Sequence, residues 1–180
     1  RKMAEALYVG IMTDTGNFAF SFLTPELFRA VAVLVEKGIS IPDIHNNVYN
    51  AYTEGRARLF GYAINRKMEV IQDGTVAYMS LLENEMRRFQ FQQGDSEGFV
   101  NYALTIKKVK MSAMFLAHRK FIRVSLRSRG DVDVNLFARK YFSGGGHKNG
   151  PDVEFHPGRR TTLHFAARRQ QACRRAGIPL

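Results

Sequence analysis

The residues best equipped for chemistry in this chain are glycines, serines and basic side chains spaced as an anion would need them. Gly144-Gly145-Gly146-His147 runs directly into Lys148 and Asn149. Glycines carry no Cβ, so their backbone can come close to a ligand, and positive φ is open to each of them. Successive N–H groups in such a turn form a concave seat for an anion. His147 adds a hydrogen bond, and a charge when protonated; Lys148 adds a point charge. The same run also describes an unspecialised surface loop. A second candidate is Ser125-Leu126-Arg127-Ser128. On a strand, alternation sets Ser125 and Arg127 on one face, and the guanidinium fork matches phosphate bidentately. An edge strand guarded by charge gives the same pattern. A third is Asp14, within Thr13-Asp14-Thr15-Gly16. A carboxylate ahead of a glycine turn suits a hard metal ion, and equally an Asx turn that closes its own loop.

The elements that must position these residues follow the grammar of an α/β fold. Ala4 to Met12 is a short apolar run that reads as a buried strand. It would leave Asp14 just past a strand's carboxyl end, where ligands collect in open α/β sheets. Thr24 and Pro25 open a helix to Lys37, and Gly38 stops it. Ser40-Ile41-Pro42-Asp43 breaks the chain. Residues 44–65 read as a connector helix weakened by Gly55 and Gly61, with His45 on its surface. Met68–Ile71 and Thr75–Met79 form a hairpin about Gln72-Asp73-Gly74. A short helix over Leu82–Phe89 follows. Asp95 or Ser96 caps another over Phe99–Ile106. Val109–Leu116 and Phe121–Leu126 pair about a polar turn that leaves His118 in solvent. Asp131 or Asp133 then caps a helix whose Val134, Phe137, Ala138 and Tyr141 make one apolar face. That helix holds one end of the glycine run.

Bulk composition narrows the classes. The chain has 180 residues, 45% of them hydrophobic, enough for one large or two small packed domains. One cysteine, Cys173, excludes an internal disulfide framework and a cysteine-based zinc site. No apolar run approaches the ~20 residues of a membrane span, and no signal peptide is apparent; a cytoplasmic, reducing setting fits. The first residue is Arg1, which suggests a piece of something longer or a processed product. The net charge of +11 favours anionic partners.

Gly10-Ile11-Met12-Thr13-Asp14-Thr15-Gly16-Asn17-Phe18, with Gly144-Gly145-Gly146-His147 far downstream, resembles the DHH phosphoesterases that carry a DHHA1 domain. The similarity runs from residue 1 to about 149 and favours the oligoribonuclease and 3′-phosphoadenosine 5′-phosphate phosphatase branch. The resemblance implies the end of a parallel-sheet DHH domain over residues 1–43. A smaller, mixed-sheet α/β DHHA1 domain would then span 66–150. It implies a manganese-dependent phosphoesterase acting on short oligoribonucleotides or a nucleoside bisphosphate, with cyclic or linear dinucleotides as alternative substrates, and it allows a homodimer. Asp14 matches a manganese ligand of that family. Ser125, Arg127 and Ser128 match its S-x-R-S element in the nucleotide cleft, and Gly144 to His147 match its substrate grip. Asp95-Ser96-Glu97-Gly98 is similar to an element near that cleft.

The chain departs from the family in two places. The upstream aspartates and the Asp-His-His triplet are missing. The five histidines, His45, His118, His147, His156 and His164, are all single. A two-metal centre needs several convergent ligands, so this chain alone is expected to bind substrate and not to turn it over. A non-catalytic nucleotide- or nucleic-acid-binding module is the competing reading. The second departure follows Asn149, where Gly150-Pro151-Asp152 replaces the family's small residues and glycines. Residues 151–180 then form an atypical basic tail. Thr162–Arg175 could make a basic RNA-binding helix; a foreign sequence or a change of frame would look the same.

Overall fold

The computed structural model describes residues 1–19, 23–142 and 148–155, which form a mixed α/β protein. It divides into two compact units between Tyr52 and Thr53.

The described part of the first unit is helical. Helix α1 spans Lys2–Asp14, α2 spans Pro25–Glu36 and α3 spans Ile41–Tyr49. The strand expected over Ala4–Met12 is therefore a helix. Ala4, Tyr8 and Met12 are its buried residues, one every fourth position, which is a helical stripe. A nine-residue apolar run fits either element, and here tertiary packing decides. Those three side chains join Ile39 and Ile44 in a small core, with Phe18, Val31 and Leu34 against it. The ends of α2 follow the sequence reading. The Thr24 hydroxyl accepts the Leu27 N–H at 3.3 Å, and Gly38 sits at φ +73° beyond the last turn. His45 is not a bare surface residue, because its ring packs between Tyr8 and Tyr49.

The second unit opens with α4, Glu54–Tyr62, which runs into a single π turn over Ala63–Lys67. The continuous connector helix expected over 44–65 is thus broken at residues 50–53. Thr53 starts a new helix by accepting the Arg56 N–H at 3.1 Å. Five strands follow: β1 Glu69–Ile71, β2 Val76–Leu81, β3 Met111–Ala117, β4 Ile122–Ser128 and β5 Asp152–Phe155. They lie side by side in chain order. The β1–β2 and β3–β4 pairs are the two hairpin-like pairs read from the sequence, both antiparallel. Between them β2 and β3 run parallel. That requires a crossover, made by α5 (Glu83–Arg88) and α6 (Phe99–Ala103). Helix α7, Val134–Phe142, follows β4.

The sheet is buried on both faces. Ala77, Met79, Leu81, Met114 and Leu116 pack with Leu59, Met86 and Phe99 from α4, α5 and α6. Tyr78, Ala113, Val124, Leu126 and Val153 pack with Val134 and Ala138 of α7. Neither Asp95 nor Ser96 caps α6. Gly98 holds that position at φ +81°, and the Asp95 carboxylate instead accepts the Gln92 N–H at 2.8 Å. Asp133 does cap α7, accepting the N–H groups of Asn135 and Leu136 at 2.9 and 3.0 Å.

Candidate functional site

Strand β4 alternates cleanly: Ile122, Val124, Leu126 and Ser128 are buried, while Arg123, Ser125 and Arg127 are half-exposed. Arg123, Ser125 and Arg127 oppose Leu116, Met114 and Ser112 of β3. One sheet face therefore grades from apolar under α4–α6 to basic and polar on β4. Ser125 and Arg127 share that face. Ser128 is on the opposite one. Its hydroxyl donates to the Val132 carbonyl at 2.6 Å and accepts from Asn149 Nδ2 at 3.0 Å, which closes the turn after β4. The structure thus brings two of the three residues together and gives the third a turn-closing bond.

On the β5 side, Asp152 lies directly across from Ser125. Arg127 Nη2 donates to its Oδ2 at 3.1 Å and Nη1 to its Oδ1 at 3.3 Å. Nη1 also reaches the carbonyls of Leu126 at 2.8 Å and Pro151 at 3.4 Å. The Arg127 stem lies over Gly150, where an added Cβ would come within 3.3 Å of its Cδ. Burial pushes the Asp152 carboxyl up. Hydrogen bonds from Arg127 and Ser125, with the charges of Arg127 and Arg123, outweigh it and hold the group below the ordinary aspartate value. Asp152 and Arg123 escaped the sequence reading. The signal was there in Asp152-Val153-Glu154-Phe155, a polar–apolar alternation at the start of what looked like a patternless tail.

Ser143, Gly144, Gly145, Gly146 and His147 lie outside the described residues, as does everything after Phe155. The flanks of the glycine run are well tied. The Lys148 carbonyl accepts the N–H groups of Val134 and Asn135 at 3.0 and 3.2 Å, so the residue after the run returns to the first turn of α7. Asn149 accepts the Ser128 N–H at 3.0 Å and spans the 128–132 turn with its amide.

Asp14, in the other unit, is the exposed last residue of α1. A carboxylate there meets the negative end of the helix dipole, where a cation would be favoured. The turn behind it is unusual: Gly16, Asn17 and Phe18 all have φ near +60°. Asparagine tolerates that conformation, but for phenylalanine it is costly, and such strain collects at functional turns. Buried Thr15 holds it, donating to the Ile11 carbonyl at 2.7 Å and accepting the Phe18 N–H at 3.0 Å. Among the described residues, however, no group of three or more His, Cys, Asp or Glu side chains converges as a metal would need. Asp14 alone does not fit a two-manganese centre.

His118, expected in solvent, stacks on Phe121 with ring centroids 4.6 Å apart. It has no place in the β4–β5 cluster. The Asp95–Gly98 turn contributes the Glu97 carbonyl, which accepts from Arg56 at 2.8 Å.

Residues 73–150, which carry most of this sheet and its basic, serine-bearing face, match the DHHA1 domain. Beyond that domain, the chain is similar over most of its length to longer phosphoesterases. It is 28% identical over 149 residues to the bifunctional oligoribonuclease and PAP phosphatase of Thermus thermophilus, covering 81% of this chain and 43% of that protein. The Bacillus subtilis protein of the same name is 28% identical over 146 residues, covering 81% and 45%. A crystal structure of an exopolyphosphatase-related protein from Bacteroides fragilis superposes with a TM-score of 0.84 at 39% identity, covering 96% of this chain and 49% of that one. The chain thus spans somewhat under half the length of these curated relatives. No helix among the described residues is long and apolar enough to cross a membrane.

Proposed function

We propose that this chain supplies the substrate-binding portion of a phosphoesterase that acts on short oligoribonucleotides or nucleoside 3′,5′-bisphosphates. The observation that carries the reading is the DHHA1 domain over residues 73–150. Its relatives are named for those two activities. Arg127 is the phosphate fork, Ser125 a neighbouring hydroxyl donor, and Arg123 a supporting charge on the same face. Gly144 to His147 are proposed as a second phosphate contact, with His147 stabilising phosphate charge and not acting as a base. Asp14 is proposed as one manganese ligand. Since the described residues offer no complete ligand set, no hydrolytic step is assigned to this chain.

A binding-only module is the second reading. It is favoured by the absence of a metal-ligand cluster among the described residues and by the net charge of +11. One experiment separates the two. The purified chain is incubated with manganese and a 5′-phosphorylated adenylate dinucleotide, and binding and turnover are followed together. Binding without turnover supports the binding-only module; turnover excludes it. In the same assay Arg127→Gln should weaken nucleotide binding about tenfold, the scale of a lost charge-assisted hydrogen bond. Unchanged affinity would remove Arg127 from the site.

A further inference from the structure

Arg127 is already holding an anion, and that anion belongs to the chain. Both terminal nitrogens of its fork point at the Asp152 carboxylate, at 3.1 and 3.3 Å. This is the two-pronged geometry by which arginine binds phosphate oxygens. Ser125 lies directly opposite Asp152 in the strand register and helps hold the same carboxyl below its ordinary value. Three features keep the pairing in place. Register fixes Asp152 across β4. The Leu126 and Pro151 carbonyls brace Nη1. Gly150 leaves the space through which the arginine stem reaches β5. Yet the pair is not sealed: the Arg127 side chain is 24% exposed and that of Asp152 38%, so an anion from solvent can reach it.

We propose that Asp152 is a built-in competitor for the phosphate seat formed by Ser125 and Arg127. A ligand phosphate gains the fork only by displacing the carboxylate. Asp152 thereby sets a threshold: weakly held anions fail to open the clasp, and a phosphate anchored elsewhere through its nucleotide succeeds. The inference rests on the reading of Arg127 and Ser125 as phosphate contacts given above.

The test uses the full chain, with inorganic phosphate and adenosine 3′,5′-bisphosphate as probes, titrated by calorimetry at fixed low salt. Asp152→Asn keeps the shape and an acceptor oxygen but removes the charge. It should tighten binding of both probes about fivefold, as expected for release of a partly exposed ion pair. The gain should vanish when Arg127→Gln is added. If Asp152→Asn binds no more tightly while Arg127→Gln weakens binding by the unmodified chain, the clasp is wrong and the phosphate seat stands. If Arg127→Gln has no effect in either background, the seat itself is wrong and the clasp falls with it. An independent measurement guards against a variant that misfolds. In the unmodified chain, the Arg127 side-chain nitrogen resonances should shift together with the Asp152 carboxyl carbon as adenosine 3′,5′-bisphosphate is added. Movement of the arginine signals alone would mean phosphate binds without opening the clasp, and would overturn the proposal.

Discussion

Glu85 shows how one carboxylate can organise a corner of the second unit. It accepts from Tyr62 Oη at 2.6 Å, from Lys67 Nζ at 2.9 Å and from the Leu82 N–H at 2.8 Å, so it joins α4, the π turn and the start of α5. Burial raises its carboxyl. The bonds from Lys67, Tyr62 and the backbone outweigh that and leave it below the ordinary glutamate value. The same contact raises the Tyr62 hydroxyl, because its proton is held by Glu85. For a carboxyl lowered on folding, the stabilisation is full above the unfolded-state value and is lost as pH falls through the folded-state value. Asp152 has the same sign. The second unit should therefore weaken in acid, in the range at and below ordinary carboxyl titration. Urea melts at stepped pH would show it. Glu85→Gln should cost about 1–3 kcal/mol at neutral pH and flatten that acid limb, since it leaves Lys67 with a weaker partner. An unaltered acid limb would take Glu85 out of the account.

At the scale of elements, the two glycines of α4 make opposite predictions. A Cβ on Gly55 would lie 2.4 Å from the Phe89 carbonyl oxygen, which is backbone and cannot swing aside. Gly55→Ala should force α4 away from the end of α5 and destabilise by about 1–3 kcal/mol. Gly61 has open space at that position, and Gly61→Ala should stabilise by about 0.5–1 kcal/mol through helix propensity. Thermal melts of the two variants decide the matter: shifts of the same sign would contradict it. From sequence both glycines merely weakened a helix. Which one was there for close approach depends on a carbonyl thirty-odd residues away, beyond the reach of local pattern. Turn chemistry was legible at three local signals. Gln72-Asp73-Gly74, Thr24-Pro25 and Asp133 set their elements as expected. Reading failed where context chose between two permitted answers. The run from Ala4 to Met12 fits a strand until its every-fourth-residue burial is seen. Gly98 displaced Asp95 as the start of α6 because its left-handed φ already turns the chain. In the candidate site, alternation set Ser125 and Arg127 on one face, while their choice as phosphate contacts came from the motif resemblance. The side of the sheet taken by Ser128 followed from the same rule, but a motif match had grouped it with the others. Asp152 was hidden by the expectation of a tail.

The molecule as a whole is uneven. Among its described residues the first unit buries few large side chains, and α2 has no buried residue at all, with Phe28, Val33 and Val35 exposed on it. The second unit has a sheet covered on both faces. Stability should follow the same division: amide hydrogen exchange is expected to be slowest in β2, β3 and β4 and fastest in α2. Comparable protection in both units would contradict it. The parallel join between β2 and β3 also governs when this protein can fold as it leaves the ribosome. The β1–β2 hairpin emerges first, yet its open edge takes no partner until Met111 and the residues after it have appeared, and β5 must wait for the far side of α7. For the time needed to synthesise the crossover, one edge of β2 has no partner strand, and a nascent chain stalled there offers a neighbouring chain an edge to pair with.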